Sequence, residues 1–92
     1  MSRQSKANLR KRGTEIKATI CIGKNGISES LVNEIKEQIE KHKIVKVRLF
    51  KTSGLEKSDA AERIMKLTGA TLLEVRGNTI LLCDSTLLVK ED

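Results

Sequence analysis

Four residues in the first third of the chain, Gly23-Lys24-Asn25-Gly26, have the types and spacing that suit binding of a phosphate group. Two glycines lack the Cβ atoms that keep a phosphodiester away from the backbone, and a helix that follows them would direct unpaired N–H groups toward the anion. Lys24 adds a positive charge. A tight strand-to-helix turn without any ligand is the alternative interpretation, because Gly-x-x-Gly often arises by chance.

The positive charge of the protein is concentrated in the segment that ends at this loop. Seven basic residues precede position 25 and only one acidic residue, Glu15, accompanies them, whereas residues 25–92 carry eleven of each sign. The basic residues of the first segment are Arg3, Lys6, Arg10, Lys11, Arg12, Lys17 and Lys24. This asymmetry predicts a polyanionic partner, and a solvated basic tail is the competing explanation.

The elements around the loop can be predicted from local patterns. Residues 2–12 are helix formers up to Gly13, which predicts a basic helix with a glycine stop. Residues 18–22 are rich in β-branched side chains and predict a first strand. Ser28 is a good N-cap for a second helix, whose apolar stripe would be Leu31, Val32, Ile35 and Ile39.

The second half of the chain predicts two further strand-forming regions and one helix. Residues 44–50 alternate with period two, so Lys46 and Arg48 would share the outer face of the sheet. The spacing of Ser53 and Glu56 suits a capping box, which predicts a third helix that ends at Gly69. Residues 72–76 and 79–83 flank Gly77-Asn78 and predict a hairpin.

Together these patterns predict an α/β fold with a mixed four-stranded sheet and the element order α-β-α-β-α-β-β. The first three strands would run parallel and the fourth antiparallel, with two long helices on one face and the N-terminal helix partly shielding the other. Ninety-two residues suit one domain, with a basic helix at 2–12, a core at 16–83 and a tail at 84–92. The apolar run Leu87-Leu88-Val89 could pair with a sheet edge or contact another chain.

Composition argues against several classes of protein. His42 is the single histidine and falls in a charged turn, and neither a nucleotide-binding P-loop nor a dinucleotide glycine motif is present, so we expect no enzymatic activity and no cofactor. Cys21 and Cys83 lie far apart in apolar runs, which predicts buried free thiols and no metal site. No membrane-spanning segment or secretory signal is apparent, and we expect a cytoplasmic protein.

The aromatic content limits how a nucleic acid could be bound. Phe50 is the single residue among Phe, Tyr and Trp, whereas single-strand readers stack bases on several rings. We therefore expect contacts to the sugar–phosphate backbone of structured RNA. The candidate RNA-binding residues are Gly23, Lys24, Asn25, Gly26, Lys6, Arg10, Lys11, Arg12, Lys17, Lys46 and Arg48.

Four short segments together resemble the CRM domain family, which includes the stand-alone bacterial YhbY proteins. The segments are residues 22–29, 44–47, 67–70 and 77–80, with the sequences IGKNGISE, IVKV, LTGA and GNTI. The resemblance covers about residues 3–83 and implies a fold similar to the C-terminal domain of a bacterial translation initiation factor, with a KH-like glycine loop. By position, that loop falls on residues 23–26, and a neighbouring basic surface falls on Lys6, Arg10, Lys11 and Arg12.

The resemblance implies RNA as the ligand, and ribosomal large-subunit precursors as the kind of RNA that single-domain members accompany. The final strand departs from the family, because Cys83-Asp84 stand where bacterial members tend to have an aromatic and a basic residue. We expect a monomeric RNA-binding protein that acts in ribosome assembly. The alternatives are a protein-interaction module with a basic arm, or a general nucleic-acid chaperone.

Overall fold

A computed structural model describes residues 5–87, in which α-helices and β-strands alternate along most of the chain. The elements are α1 (Lys6–Gly13), β1 (Ile20–Ile22), α2 (Glu29–His42), β2 (Ile44–Leu49), a 3₁₀ turn (Lys51–Ser53), α3 (Lys57–Thr68), β3 (Thr71–Arg76), β4 (Thr79–Cys83) and a second 3₁₀ turn (Ser85–Leu87). The predicted α/β class and element order are confirmed.

The four strands form one mixed sheet in the spatial order β1-β2-β4-β3. β1 pairs parallel with β2, and β4 lies antiparallel between β2 and β3, so β1, β2 and β3 point the same way as predicted. The hairpin between β3 and β4 turns at Gly77, whose φ of 57° suits the first central position of a primed turn. The end of β1 that leads into the glycine loop is therefore paired with the end of β2.

The main core lies between one face of the sheet and helices α2 and α3. Alternate residues of β2, namely Val45, Val47 and Leu49, point into this core, and the predicted stripe of α2 meets them with Ile35 and Ile39. Side chains with period two in a strand and period 3.6 in a helix bring their apolar positions onto one face each. Burial of each such side chain contributes about 1.5–3 kcal/mol.

Helix α1 packs on the opposite face of the sheet and covers only part of it. Leu9 is fully buried there against a second apolar cluster that includes Ile44, Leu81 and Cys83. The helix predicted at 2–12 begins at Lys6, because Ser5 has an extended backbone and its side chain accepts a hydrogen bond from the N–H of Asn8 as the N-cap; residues 2–4 lie outside the described residues. The half of this sheet face nearest β1 is left uncovered.

Gly13 has a different role from the predicted helix stop. It is the last residue of α1, and its successor Thr14 stays in the right-handed region, so no left-handed cap is formed. A Cβ on Gly13 would collide with the Cδ atoms of Leu81, because the helix end lies directly on β4. Glycine at this position therefore permits close packing of α1 on the sheet.

Three further predictions were wrong in detail. β1 begins at Ile20 instead of residue 18, although the N–H of Thr19 already donates to the carbonyl oxygen of Lys46 in β2 at 3.3 Å. The capping box does not form: Ser53 belongs to a 3₁₀ turn, and Glu56 caps α3 by accepting from the N–H groups of Ser58 and Asp59. Cys21 is exposed, because it alternates with the two buried isoleucines of β1. Cys83 is buried as predicted.

Asp84, which follows β4 at the end of the sheet, makes hydrogen-bond and ion-pair contacts with nearby residues. Asp84 accepts from the N–H of Thr86 at 2.9 Å and lies 3.5 Å from the ammonium of Lys43. Hydrogen bonds from Thr86 lower the pKa of Asp84, and the charge of Lys43 adds to this effect.

Leu88 and Val89 of the predicted apolar run lie outside the described residues. No helix within residues 5–87 has the length and hydropathy of a membrane span.

Candidate nucleic-acid interface

The glycine loop joins β1 to α2 through a tight turn. The N–H of Gly26 donates to the carbonyl oxygen of Gly23 at 2.9 Å, and Gly26 has a φ of 65°, which favours glycine. The amide of Gly26 is therefore used internally and is not available to a ligand. No acceptor within residues 5–87 takes the N–H of Lys24 or Asn25, and both side chains are exposed.

The start of α2 contributes further donors beside the loop. Ser28 caps the helix as predicted, since its Oγ accepts from the N–H of Leu31 at 3.2 Å. In the described part of the chain, the N–H groups of Glu29 and Ser30 have no acceptor. The carboxylate of Glu29 in this first turn would repel a phosphate on the helix axis. An anion is therefore favoured on the Lys24 side of the turn.

A backbone hydrogen bond between β1 and the end of β2 positions Phe50 beside the glycine loop. Its N–H donates to the carbonyl oxygen of Ile22 at 2.9 Å, one residue before Gly23. A Cβ built on Gly23 would lie 3.8 Å from Cδ2 of Phe50 and 3.9 Å from Oγ1 of Thr52, which are ordinary contacts. Gly23 has no positive φ, so neither backbone conformation nor packing requires glycine at this position.

An open groove of about 760 Å³ runs along the sheet face that α1 leaves uncovered. All charged residues that line it are cations: Lys17, Lys46, Arg48 and Lys51. We call these four residues and the surface between them the basic groove. Its other lining residues include the exposed Cys21 and Phe50. Phe50 lines the groove, and a Cβ on Gly23 would lie 3.8 Å from its ring, so the glycine loop lies next to this end of the basic groove.

The charges of the basic groove are mostly not neutralised by the protein. Among the ion pairs recorded for residues 5–87, none includes Lys17, Lys24, Arg48 or Lys51. Unpaired cations on one concave surface raise the local potential and attract an anionic polymer. The arrangement therefore suits a nucleic-acid backbone that lies along the groove and reaches the loop.

Lys46 differs from the other cations of the groove because its ammonium group is engaged inside the protein. It is half-buried and donates to the carbonyl oxygens of Gly13 at 3.0 Å and Ile16 at 3.1 Å. These carbonyls lie at and just after the C-terminal end of α1, where a positive charge is favourable. Two of its three N–H donors are thus used to hold α1 and the segment after it on the sheet.

The four predicted residues on α1 form a second basic surface, which we call the helix patch: Lys6, Arg10, Lys11 and Arg12. It adjoins the basic groove at Arg12, which lines a cavity with Ile16 and Lys46 of the groove lining. All four are exposed, and Arg10 also donates from Nε to the carbonyl oxygen of Leu73 at 2.8 Å. Lys6 is close enough to Cys83 to affect its titration, and Cys83 pairs with Ile44 at the opposite end of β2 from the glycine loop. The structure therefore places Lys6 about one strand length from the loop.

Sequence reasoning omitted Phe50 and Lys51 from the candidate site. Extending the alternation of β2 by one step places Phe50 on the same face as Lys46 and Arg48, and this signal could have identified it. Lys51 follows the strand in a 3₁₀ turn, and its position in the groove depends on the parallel pairing of β1 with β2. Local sequence contains no comparable signal for that residue.

Comparison with known proteins gives relatives that span nearly the whole chain. YqeI of Bacillus subtilis (strain 168), whose name describes it as a probable RNA-binding protein, is 28% identical over 79 residues, which cover 86% of this chain and 82% of YqeI. The solution structure of SAV1595 from Staphylococcus aureus, presented as a candidate RNA-binding protein, matches with a TM-score of 0.71 and 26% identity. That match covers 96% of this chain and 88% of SAV1595.

A family profile supports the same relationship independently of single relatives. The CRS1 / YhbY (CRM) domain matches residues 1–83, which include the glycine loop, the basic groove and the helix patch. The fold, the loop between β1 and α2, and the four short segments that carry the resemblance all lie within this range. The chain belongs to the CRS1 / YhbY (CRM) domain family.

Proposed function

We propose that this protein is a non-enzymatic RNA-binding protein that holds the sugar–phosphate backbone of structured RNA. The observation that carries the proposal is the basic groove, which has no carboxylate among its lining residues and ends at Phe50, beside Gly23 of the glycine loop. Family membership and the RNA-binding descriptions of YqeI and SAV1595 support it. Backbone contacts of this kind position an RNA without reading its sequence.

The proposed contacts divide between charge and directed hydrogen bonds. Lys17, Arg48 and Lys51 neutralise successive phosphates along the groove, while one phosphate accepts from the free amides of Lys24 and Asn25. Lys46 takes a smaller part, because two of its donors are already used. The helix patch contacts a different section of the RNA, since it lies toward the other end of the sheet.

We further propose that the RNA is ribosomal RNA or its precursor during large-subunit assembly, and that the protein acts in the cytoplasm as a monomer. The choice of ribosomal RNA rests on the family resemblance alone. Crosslinking in cells followed by sequencing of the attached RNA tests it directly. Crosslinks spread over messenger RNA with no enrichment in large-subunit RNA would contradict it.

Salt dependence of RNA affinity tests the backbone contacts. Neutralisation of about four to six phosphates predicts a slope of roughly −3 to −5 for log affinity against log salt concentration. The double variant Lys24→Gln/Lys51→Gln should bind more weakly and reduce the magnitude of that slope by about 2. Affinity for a structured RNA should be measured by fluorescence anisotropy at several salt concentrations.

A matched control comes from two exposed lysines on the helices of the opposite sheet face. Lys36→Gln/Lys57→Gln removes the same charge from α2 and α3, outside the basic groove. This control should change the slope much less than Lys24→Gln/Lys51→Gln does. Equal slopes for the two double variants, or a flat salt response of the unmodified protein, would show that the glycine loop and the basic groove do not hold the RNA backbone.

A further inference from the structure

We propose that an unpaired base of the bound RNA stacks on Phe50 while its neighbouring phosphate lies at the glycine loop. This inference rests on the proposed function and adds the class of RNA that the site prefers. Phe50 is the single Phe, Tyr or Trp in the chain, and 42% of its surface is exposed. A large aromatic ring that the core does not bury, in the middle of a cationic groove, is suited to contact a ligand.

The backbone holds Phe50 at a defined position relative to the loop. Parallel pairing places Ile22 opposite Leu49, and the next hydrogen bond along the pair joins the N–H of Phe50 to the carbonyl oxygen of Ile22. A base on the Phe50 ring and a phosphate at the glycine loop would therefore be bound at neighbouring positions of the β1–β2 pair.

The glycine at position 23 is consistent with a ligand that lies between the loop and the Phe50 ring. A side chain at that position would begin in van der Waals contact with Phe50 and Thr52, and a longer one would compete with a base for the ring. The fold itself does not require glycine there, because φ is not positive and a Cβ would make only ordinary van der Waals contacts. Gly23 thus keeps the approach between the loop and the ring clear.

Within the protein, the guanidinium of Arg48 contacts the Phe50 ring and would compete with an RNA base for it. Its guanidinium carbon lies 5.7 Å from the centre of the Phe50 ring, and both residues are exposed. A cation–π contact at an exposed site is weaker than the stacking of a base on an aromatic side chain. A base can therefore displace or extend this contact, after which the guanidinium remains beside the nucleotide to pair with its phosphate.

This geometry selects an RNA with an unpaired nucleotide next to a duplex. A base inside a continuous helix is stacked on both faces and is not available to a protein ring. A bulged or loop nucleotide offers a free face, while the adjoining duplex supplies the closely spaced phosphates that the basic groove requires. The preferred ligand is thus a helix interrupted by at least one unpaired base.

Two RNA hairpins that differ only in one base provide the test. Both carry a single bulged nucleotide, which is a purine in one RNA and an abasic site in the other, so the phosphates are identical. We expect the protein to bind the purine bulge roughly 5- to 100-fold more tightly than the abasic bulge. Phe50→Leu should remove this preference while retaining the salt-dependent binding of both RNAs, and Phe50→Tyr should keep the preference.

The chain also offers a direct spectroscopic reporter. Because it contains one Phe, selective ¹³C labelling of phenylalanine gives a single ring to follow by NMR. Stacking of the purine should shift the ring protons upfield through its ring current, and the abasic RNA should produce no comparable shift. This measurement reports on the contact itself and does not depend on a variant that might alter the fold.

The outcomes separate this inference from the proposed function. Equal, salt-dependent binding of both RNAs by the unmodified protein would overturn the stacking inference and leave backbone binding intact. An equal loss of affinity for both RNAs in Phe50→Leu would also overturn it, because the ring would then act only through the protein. Binding of neither RNA would overturn both proposals.

Discussion

The two glycines of the loop contribute in different ways, although their sequence pattern treats them alike. Gly26 has a φ of 65° and donates its N–H within the turn, so its glycine identity serves the backbone. Gly23 has neither constraint, and a Cβ there would point toward Phe50 and Thr52. Gly26 therefore cannot donate its own amide to a phosphate, and the amides of Lys24 and Asn25 remain as donors in the loop.

Substitution of these glycines separates stability from binding. Gly23→Ala should leave the unfolding free energy unchanged or raise it by up to about 1 kcal/mol, because alanine fits the native conformation and restricts the unfolded chain. RNA affinity should fall several-fold, since the new methyl group occupies the approach to the loop. Thermal melting and RNA titration of the same sample measure both effects.

Gly26→Ala is the matched comparison for Gly23→Ala. It should lower the unfolding free energy by about 1–2 kcal/mol, because alanine is strained at positive φ even though the surrounding space is open. Its effect on RNA binding therefore cannot be separated from a distorted turn. A Gly23→Ala protein that melts normally and binds RNA with unchanged affinity would remove Gly23 from the proposed site.

Among the helices and strands, α1 shows most clearly what local sequence could and could not predict. Its basic character and its approximate position follow from composition, whereas its attachment depends on distant partners. Arg10 and Lys46, both predicted as RNA contacts, donate to carbonyl groups at Leu73, Gly13 and Ile16. An exposed lysine and a lysine that caps a helix end look the same in a sequence, because the difference lies in tertiary packing.

The same distinction applies to the sheet and to α3. The alternation in β2 and the stripe in α2 predicted their buried faces correctly, since side-chain periodicity is a local property. The position of β4 between β2 and β3 was not predicted, because it depends on how the hairpin docks as a unit. Ser53 and Glu56 have the spacing of a capping box, yet a 3₁₀ turn at Ser53 delays the start of α3.

Removal of the Lys46 ammonium group should weaken the docking of α1. We expect Lys46→Met to lower the unfolding free energy by about 1–2 kcal/mol, because the carbonyls of Gly13 and Ile16 lose a charged donor while the apolar stem is retained. For a domain of this size the melting temperature should fall by at least about 4 °C. Thermal melting followed by circular dichroism measures the change.

Arg48→Met supplies the control for Lys46→Met on the same strand and the same face. Arg48 is exposed and its guanidinium makes no recorded hydrogen bond in residues 5–87, so its loss should change stability by less than about 0.5 kcal/mol. RNA affinity should show the opposite order, with the larger loss for Arg48→Met. If Lys46→Met melted normally but bound RNA as poorly as Arg48→Met, the main role of Lys46 would be RNA binding and not the docking of α1.

For the domain as a whole, the distribution of charge on the surface differs from its distribution along the sequence. The basic surplus lies in the first 24 residues, and the remainder is neutral by count. Folding brings Arg48 and Lys51 from the neutral part beside Lys17, while many acidic residues of that part lie on α2 and α3 across the sheet. A polyanion would therefore meet a groove lined by cations, bordered by the Glu74–Arg76 ion pair, and the sequence count underestimates how strongly that groove is charged.

The two thiols report separately on the basic groove and on the packing of α1, so both can be followed in one experiment. Cys21 is exposed in the basic groove, whereas Cys83 is buried under α1. Burial is the main cause that raises the pKa of Cys83 to about 11, and the neighbouring Asp84 carboxylate adds to it. Because the thiolate is the reactive form, Cys83 should be inert toward a thiol reagent at neutral pH until the domain opens.

We expect one thiol to react rapidly in the folded protein and the second to react only at the rate permitted by opening of the domain. Bound structured RNA should slow the fast reaction, because it covers the groove around Cys21. Absorbance of a chromogenic thiol reagent measures both phases, and Cys21→Ser assigns them by removing the fast one. Rapid reaction of both thiols in native buffer would show that α1 does not protect Cys83, and an unchanged fast phase in saturating RNA would place the RNA on another face.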